Sequence, residues 1–142
     1  ADYVRHYNTM LIEPAIYLPA MMQDFYAAGG KVVIREFKGQ DDALSLAEQV
    51  IINCTGLGSK NIFHDEELMP IKGQLSFLLP QEEIDYRTVG NGGLYMFPRK
   101  DGILLGGTFK RNDWTTTPDP EDTQRIIAGH KEFFAAMDDP WS

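Results

Sequence analysis

The pattern of apolar residues changes near residue 55, and this change limits the folds that the chain can adopt. Up to residue 54 the predicted order is helix, strand, helix, strand; beyond it, short strands are joined by turns. Two strands and two helices are too few for a complete doubly wound sheet. The sequence therefore predicts an α+β fold, with an incomplete α/β portion followed by an antiparallel sheet that packs with helices.

The incomplete α/β portion is recognised from its proline, glycine and β-branched residues. A helix is predicted over residues 14–28, where it begins with a proline and stops at Gly29-Gly30. Residues 31–37 predict a β-branched strand, residues 41–47 a short helix and residues 49–54 a buried strand.

The antiparallel sheet is predicted from alternation and turn residues. Its strands are expected at residues 73–79, 83–89, 94–97 and 103–109, and the Asp101-Gly102 pair between the last two is typical of a hairpin. A final helix begins with Asp119 as N-cap and Pro120 at its first position. Its apolar face holds Ile126, Ile127, His130, Phe133, Phe134 and Met137. We expect two domains, residues 1–58 and residues 59–142.

Charge and apolar composition exclude several classes of partner. The 142 residues include 13 Lys+Arg and 21 Asp+Glu, which gives a formal net charge of −8. Nucleic acids and anionic membranes attract basic surfaces, so we expect neither as a partner. The apolar stretches are far shorter than the ~20 residues of a membrane-spanning helix. Residues 1–6 also lack the pattern of a signal peptide, so the sequence predicts a cytoplasmic location.

The cysteine and the histidines give no sign of a metal or nucleophile site. Cys54 ends an apolar strand and is expected to be a small buried side chain rather than a nucleophile. His6, His64 and His130 lack the spacing of metal ligands, so we predict no metal site. His130 lies on the apolar face of the last helix and is expected to be a hydrogen-bonded core histidine.

Five blocks of sequence carry a family resemblance through their order and spacing. They are residues 50–58 (VIINCTGLG), 68–74 (LMPIKGQ), 94–98 (LYMFP), 105–109 (LGGTF) and Trp114. Together with the stretch 6–30 they resemble the D-amino-acid oxidase family of flavoproteins, which includes glycine oxidase-like enzymes. The resemblance implies a flavin-binding Rossmann-like domain joined to a substrate domain whose antiparallel sheet covers the isoalloxazine ring.

The resemblance also implies an activity for the complete protein. A small D-amino acid or glycine-like amine would lose hydride from its α-carbon to FAD, and oxygen would reoxidise the flavin to give peroxide. Two alternatives stay open. One is a flavin-dependent dehydrogenase that passes electrons to a quinone or a partner protein, and the other is a non-catalytic binding module without flavin.

Three parts of the family pattern are missing from this sequence. They are the Gly-x-Gly-x-x-Gly turn that cradles the flavin pyrophosphate, an arginine that pairs with the substrate carboxylate, and a Gly-rich loop near the flavin. Gly56-Leu57-Gly58 has two of the three glycines of the first motif. We therefore expect the chain to match the middle of such a protein and, by itself, to bind no FAD or to bind it weakly. Exposed apolar surface would then favour a homo-oligomer.

The resemblance assigns roles to five residues. Tyr95 matches a family tyrosine whose hydroxyl reaches the substrate carboxylate, and Asn91 stands where D-amino-acid oxidases often carry a second such tyrosine. Phe37 matches a contact on the adenine side of the flavin, while Thr55 and Gly56 match a turn that runs beside it. Without the resemblance, the two aromatic residues would be packed strand residues and Thr55-Gly56 a plain turn.

Alternation in the strand 94–97 predicts the direction of Tyr95. Tyr95 and Phe97 share one face of the strand, and Leu94 and Met96 share the other. The apolar pair is expected to pack against the last helix, which leaves Tyr95 on the opposite face.

Overall fold

The computed structural model describes residues 4–135 as a mixture of helices and antiparallel strands. The helices are α1 (Pro14–Ala27), α2 (Gln40–Leu44), α3 (Ser59–Phe63) and α4 (Pro120–Ala135). The strands are β1 (Ile71–Lys72), β2 (Leu75–Leu78), β3 (Thr88–Val89), β4 (Tyr95–Arg99), β5 (Gly102–Gly106) and β6 (Lys110–Arg111). The predicted α+β fold is confirmed. The chain divides between Glu36 and Phe37 into two compact units.

The first unit contains α1, which has almost the bounds predicted for it. The Glu13 carbonyl accepts the first backbone bonds, and Pro14 occupies the first turn, where a missing N–H costs nothing. The helix ends before Gly29, which has a φ of 86°. At this φ a glycine avoids the clash that a Cβ would make.

Two predicted strands are wrong. Neither residues 31–37 nor residues 49–54 pair with another strand in the described part of the chain, and Ile34 is fully exposed. A strand is held by hydrogen bonds to a neighbour, so β-branched composition produces one only where a partner exists. The expected burial of Cys54 is wrong for the same reason, because this residue is exposed.

The short helices differ from their predicted bounds. The helix expected over residues 41–47 ends at Leu44, and the Ser45 hydroxyl donates a 2.7 Å hydrogen bond to the Asp42 carbonyl at that end. Helix α3 was not predicted, and it stops at His64, whose φ is 55°.

The four-stranded sheet has the order β2-β5-β4-β3, with every neighbouring pair antiparallel. The predicted hairpin is confirmed: Lys100-Asp101 joins β4 to β5, and Arg99 lies opposite Gly102. The strand expected at 83–89 is reduced to Thr88–Val89. A second sheet pairs β1 with β6 and was not predicted, because strands of two residues carry no detectable alternation.

Helix α4 covers one face of the four-stranded sheet. Its fully buried Ile126 packs with sheet residues Met96, Ile103 and Leu105. Leu94 lies against the same helix, since a Cβ added to Gly129 would come within 2.6 Å of Leu94 Cδ1.

The apolar face of α4 is narrower than the sequence indicates. Ile126 and His130 are buried, whereas Phe133 is 42% exposed, contrary to expectation. Residues four apart lie one above the other along a helix, so this buried stripe follows a single line of contact with the sheet. Met137 lies outside the described residues.

The first turn of α4 is held by its own residue Asp119 and by Gln74, which lies 45 positions earlier in the sequence. Asp119 acts as the N-cap, as predicted, by accepting the Glu121 N–H at 2.9 Å. Gln74 Nε2 donates to the Asp119 carbonyl at 2.9 Å and to the Thr123 hydroxyl at 2.7 Å, and Gln74 Oε1 accepts the Asp119 N–H at 2.7 Å. These three bonds, called here the Gln74 clamp, join the start of β2 to the start of α4.

Charged groups surround the same turn. Lys110 Nζ lies 2.7 Å from Asp119 Oδ2 and 2.6 Å from Asp122 Oδ2. The hydrogen bond from Lys110, followed by the Glu121 N–H, lowers the pKa of Asp119 below its ordinary value. The Asp119 and Asp122 carboxylates raise the pKa of the Lys110 ammonium.

The lowered pKa of Asp119 predicts how stability depends on pH. A carboxyl group whose folded pKa is depressed adds stability above its ordinary pKa of about 3.9 and loses it as the pH falls through the folded value. Asp119→Asn keeps a capping oxygen but removes this charge, so its midpoint of thermal unfolding should fall less between about pH 6 and about pH 2. Lys110→Gln should make the dependence shallower as well. Equal pH dependence in the parent chain and both variants would contradict the assignment.

Candidate functional site

The four-stranded sheet presents a second face, opposite α4, that carries aromatic and apolar side chains. We call it the open face and define it by Leu75 and Phe77 of β2, Tyr95, Phe97 and Arg99 of β4, and Leu104 of β5. The register places Tyr95 beside Gly106 and Phe97 beside Leu104, so these side chains lie on the same side. Phe77 is 53% exposed. The open face is thus exposed and apolar along β2, while its β4 and β5 side chains are half-buried.

Tyr95 lies on the open face, as expected from alternation. Its ring centroid is 5.4 Å from that of Phe97, and its ring lies across Gly106 of the neighbouring strand. Its backbone carbonyl is the partner of His130 Nε2 at 3.1 Å, on the side of the sheet that α4 covers. The backbone of Tyr95 is therefore hydrogen-bonded to α4, while its phenol lies on the opposite face of the sheet.

His130 is a hydrogen-bonded core histidine, as predicted. Nδ1 lies 2.8 Å from the Ile126 carbonyl and Nε2 lies 3.1 Å from the Tyr95 carbonyl, so the ring bridges α4 and β4. A neutral imidazole has one N–H and donates to one of these carbonyls at a time. The buried ring of His130 is thus part of the packing between α4 and β4.

Arg99 closes one end of the open face. Its guanidinium lies 5.6 Å from the centroid of the Phe77 ring and donates to both carboxylate oxygens of Asp101, at 2.8 and 2.6 Å. A bidentate pair of this kind neutralises the arginine charge. The guanidinium of Arg99 therefore lies over the Phe77 ring at the border of the open face, and its charge is already paired with Asp101.

Asn91 lies in a turn that leads into β4. The turn Asn91–Gly93 follows β3, and Gly92 and Gly93 have φ values of 71° and 76°. The Gly90 N–H donates to the Leu94 carbonyl at 2.8 Å and closes the turn. The side chain of Asn91 is outside what the structure describes, so its predicted role stays a prediction.

Thr55 and Gly56 lie in a turn held by its own side chains. The Thr55 hydroxyl donates to Asn53 Oδ1 at 2.7 Å and lies 2.8 Å from the Ser59 hydroxyl. The Thr55 N–H also donates to Asn53 Oδ1, and Asn53 Nδ2 donates to the Ser59 hydroxyl. Gly56 has a φ of 55°, and nothing lies within 4 Å of its missing Cβ. The turn is open to a ligand at its backbone, while the Thr55 hydroxyl is used internally.

Phe37 is half-buried at the start of the second unit. Among the described residues, the hydrogen bonds and ring contacts of Tyr95 share no partner with those of Thr55. The contacts therefore define two groups, the open face and the Asn53–Ser59 turn. A joint role of Phe37, Thr55, Gly56 and Tyr95 stays a prediction.

The Lys72-Gly73-Gln74 block has a structural use that sequence reasoning missed. Lys72 Nζ donates to the Thr115 hydroxyl at 2.7 Å and to the Thr117 carbonyl at 2.9 Å, in the segment that precedes α4. The Thr115 hydroxyl and N–H, with Lys72 as a further cause, lower the pKa of Asp113. Both polar side chains of the block thus hold the approach to α4. Their partners lie more than 40 positions away, so no local pattern could identify them.

Residues 4–135 hold neither a cluster suited to a metal ion nor a helix suited to a membrane. Within residues 4–135, no group of three or more His, Cys, Asp and Glu side chains is arranged to hold a metal ion. None of the helices in the same range combines the length and the apolar character required to cross a bilayer.

Known proteins resemble this chain over nearly its whole length. The profile of the DAO family, described as FAD dependent oxidoreductase, matches residues 3–142. A D-amino acid oxidase of Dugesia ryukyuensis is 30% identical over 141 residues, which are 98% of this chain and 42% of the relative. Human D-aspartate oxidase is 30% identical over 86% of this chain and 36% of its own length. A D-amino-acid oxidase of Streptomyces coelicolor is 31% identical, with shares of 82% and 37%. The chain thus spans about two-fifths of the length of these relatives.

Proposed function

The chain belongs to the DAO family of FAD-dependent oxidoreductases, and from this we propose that it is the middle part of an amino acid oxidase. The observation that carries the proposal is the open face, where Tyr95 projects from the side of the sheet that α4 leaves uncovered. We propose a small D-amino acid or glycine-like amine as substrate and oxygen as electron acceptor. Two of the relatives are named D-amino acid oxidases and one D-aspartate oxidase, which supports amino acids as the substrate class.

The residues of this chain fit the flavin that the family requires. The open face offers apolar side chains next to the Tyr95 and Phe97 rings, a surface suited to a flat aromatic ring system. At the Asn53–Ser59 turn, the free space beside Gly56 lets a ligand approach the backbone closely. We propose that the open face lies next to the isoalloxazine ring and that Phe37, Thr55 and Gly56 contact other parts of the cofactor.

The chemistry supplied by bound FAD is acceptance of hydride from the substrate α-carbon. This chain would contribute position and exclusion of water. The Tyr95 hydroxyl would donate a hydrogen bond to the substrate carboxylate, which fixes the substrate relative to the sheet. Phe97 and Leu104 would exclude water from the same space. Asn91 would replace a second tyrosine at the edge of the pocket, so the carboxylate would be held by one phenol from this sheet.

The role of Tyr95 predicts a specific kinetic effect. In the flavin-loaded, full-length enzyme, Tyr95→Phe should raise the Michaelis constant roughly tenfold, because a hydrogen bond to a charged group contributes about 1.5–3 kcal/mol. Flavin content and expression should stay unchanged. Tyr86→Phe, which alters an exposed tyrosine outside the sheet strands, is the matched control. An unaltered Michaelis constant in the Tyr95 variant would remove the substrate-binding role.

The missing phosphate-binding turn predicts weak cofactor binding by the isolated 142-residue chain. Without a helix N-terminus that holds the pyrophosphate, the dissociation constant for FAD should be on the order of 100 μM or weaker. Equilibrium dialysis with FAD measures it directly. A stoichiometric yellow chromophore that survives gel filtration would contradict this prediction.

The exposed apolar side chains support self-association of the isolated chain. On α1 they include Ile16, Tyr17, Met21, Met22 and Phe25, and on the sheet Leu75, Phe77 and Val89. Surfaces of this kind tend to be covered in solution. We propose a homo-oligomer, which light scattering should detect at ~100 μM, a concentration at which modest affinities are visible. A clean monomer there would contradict the proposal.

A further inference from the structure

The ring of Tyr95 occupies the space that a side chain at position 106 would need. Tyr95 and Gly106 are cross-strand partners in the β4–β5 hairpin. A Cβ built on Gly106 would overlap a ring carbon and the phenol oxygen of Tyr95, and its three nearest atoms all belong to this ring. The phenol therefore lies over β5 at Gly106, one of the two glycines of this strand, the other being Gly102.

The requirement for glycine at this position is one of space. Gly106 is absent from the residues with positive φ, in contrast to Gly102 and Gly107, whose φ values are 149° and 152°. An alanine could therefore adopt the backbone conformation of residue 106, and the atoms nearest to its Cβ would be those of the tyrosine ring. Residues 95 and 106 are thus complementary, because the absence of a side chain at Gly106 leaves the space that the Tyr95 ring occupies.

The position of the phenol is restricted from other directions as well. The Phe97 ring lies 5.4 Å away along the same strand, and the carbonyl of Tyr95 is tied to His130 on the opposite side of the sheet. Because the Tyr95 ring also lies against Gly106, its side chain has little conformational freedom. The Gly106 and Phe97 contacts thus limit the positions that the ring, and with it the hydroxyl, can take on the open face.

We propose that Gly106 is a positioning residue, which fixes the Tyr95 hydroxyl for contact with the substrate carboxylate by leaving room for its ring. The inference rests on the role proposed for Tyr95. A methyl group at position 106 would lift the ring from β5 and move the hydroxyl, without itself touching the substrate. The expected consequence is weaker substrate binding with an intact backbone.

Stability measurements on the 142-residue chain test the packing part of the proposal. Gly106→Ala should lower the folding equilibrium constant roughly tenfold or more, as overpacking does. In the Tyr95→Ala background the same change should be neutral or slightly stabilising, because the overlapping ring is gone and alanine restricts the unfolded chain. Gly73→Ala is the control, since its Cβ would lie 3.8 Å from the nearest atom, the Thr108 carbonyl oxygen.

Nuclear magnetic resonance of the parent chain gives a readout independent of stability. The Gly106 α-protons should show an upfield ring-current shift that is lost in Tyr95→Ala. An equal cost of Gly106→Ala in both backgrounds, or no such shift, would overturn the packing pair. These outcomes leave the role of Tyr95 itself unaffected.

Kinetics of the flavin-loaded, full-length enzyme test the positioning part. Gly106→Ala should raise the Michaelis constant about as much as Tyr95→Phe, roughly tenfold, with a smaller effect on kcat. In the Tyr95→Phe background Gly106→Ala should add nothing to the Michaelis constant, because the hydroxyl through which it acts is absent.

The kinetic outcomes separate the two proposals. If Tyr95→Phe raises the Michaelis constant while Gly106→Ala leaves it unchanged, or if the two effects multiply, the positioning role of Gly106 is overturned and Tyr95 keeps its role. If Tyr95→Phe itself has no effect, the proposed function of Tyr95 fails, and the positioning role fails with it.

Discussion

The Gln74 clamp is the interaction on which the arrangement of the sheet and α4 depends. One amide side chain satisfies the N–H and the carbonyl of Asp119 and the hydroxyl of Thr123, at the point where α4 begins. Backbone N–H groups at a helix start lack partners within the helix, so a partly buried start requires acceptors from elsewhere, and Gln74 Oε1 accepts the Asp119 N–H. Because Gln74 stands directly before β2, the clamp also fixes which strand the helix start lies against.

Attachment of α4 gives the two faces of the sheet different properties. The covered face buries Met96, Ile103 and Leu105 against Ile126, and His130 bridges helix and strand through two carbonyls. The open face leaves Phe77 exposed and Tyr95 and Phe97 half-buried. The same alternation that supplies the core with Met96 therefore places Tyr95 where a ligand can reach it. The proposed substrate contact of Tyr95 therefore requires that α4 cover one face of the sheet only.

Local signals in the sequence predicted the parts of the fold that local physics determines. Asp101-Gly102 indicated the hairpin, Asp119-Pro120 indicated the start of α4, and alternation from Leu94 to Phe97 indicated the direction of Tyr95. Other parts depend on distant partners. The stretches 31–37 and 49–54 have strand composition but no strand neighbour in the described residues. The use of Gln74 depends on groups 45 or more positions away, and the need for glycine at position 106 depends on a ring in the next strand.

Amide hydrogen exchange in Gln74→Ala tests the central claim, that the Gln74 clamp holds α4 on one face of the sheet. Each lost hydrogen bond contributes about 1 kcal/mol, so amides of α4 should exchange at least about tenfold faster than in the parent chain. Amides of the β4–β5 hairpin should keep their protection, and the exposed Gln81→Ala should change neither set. Unchanged exchange in α4, or an equal loss of protection in helix and hairpin, would contradict the claim.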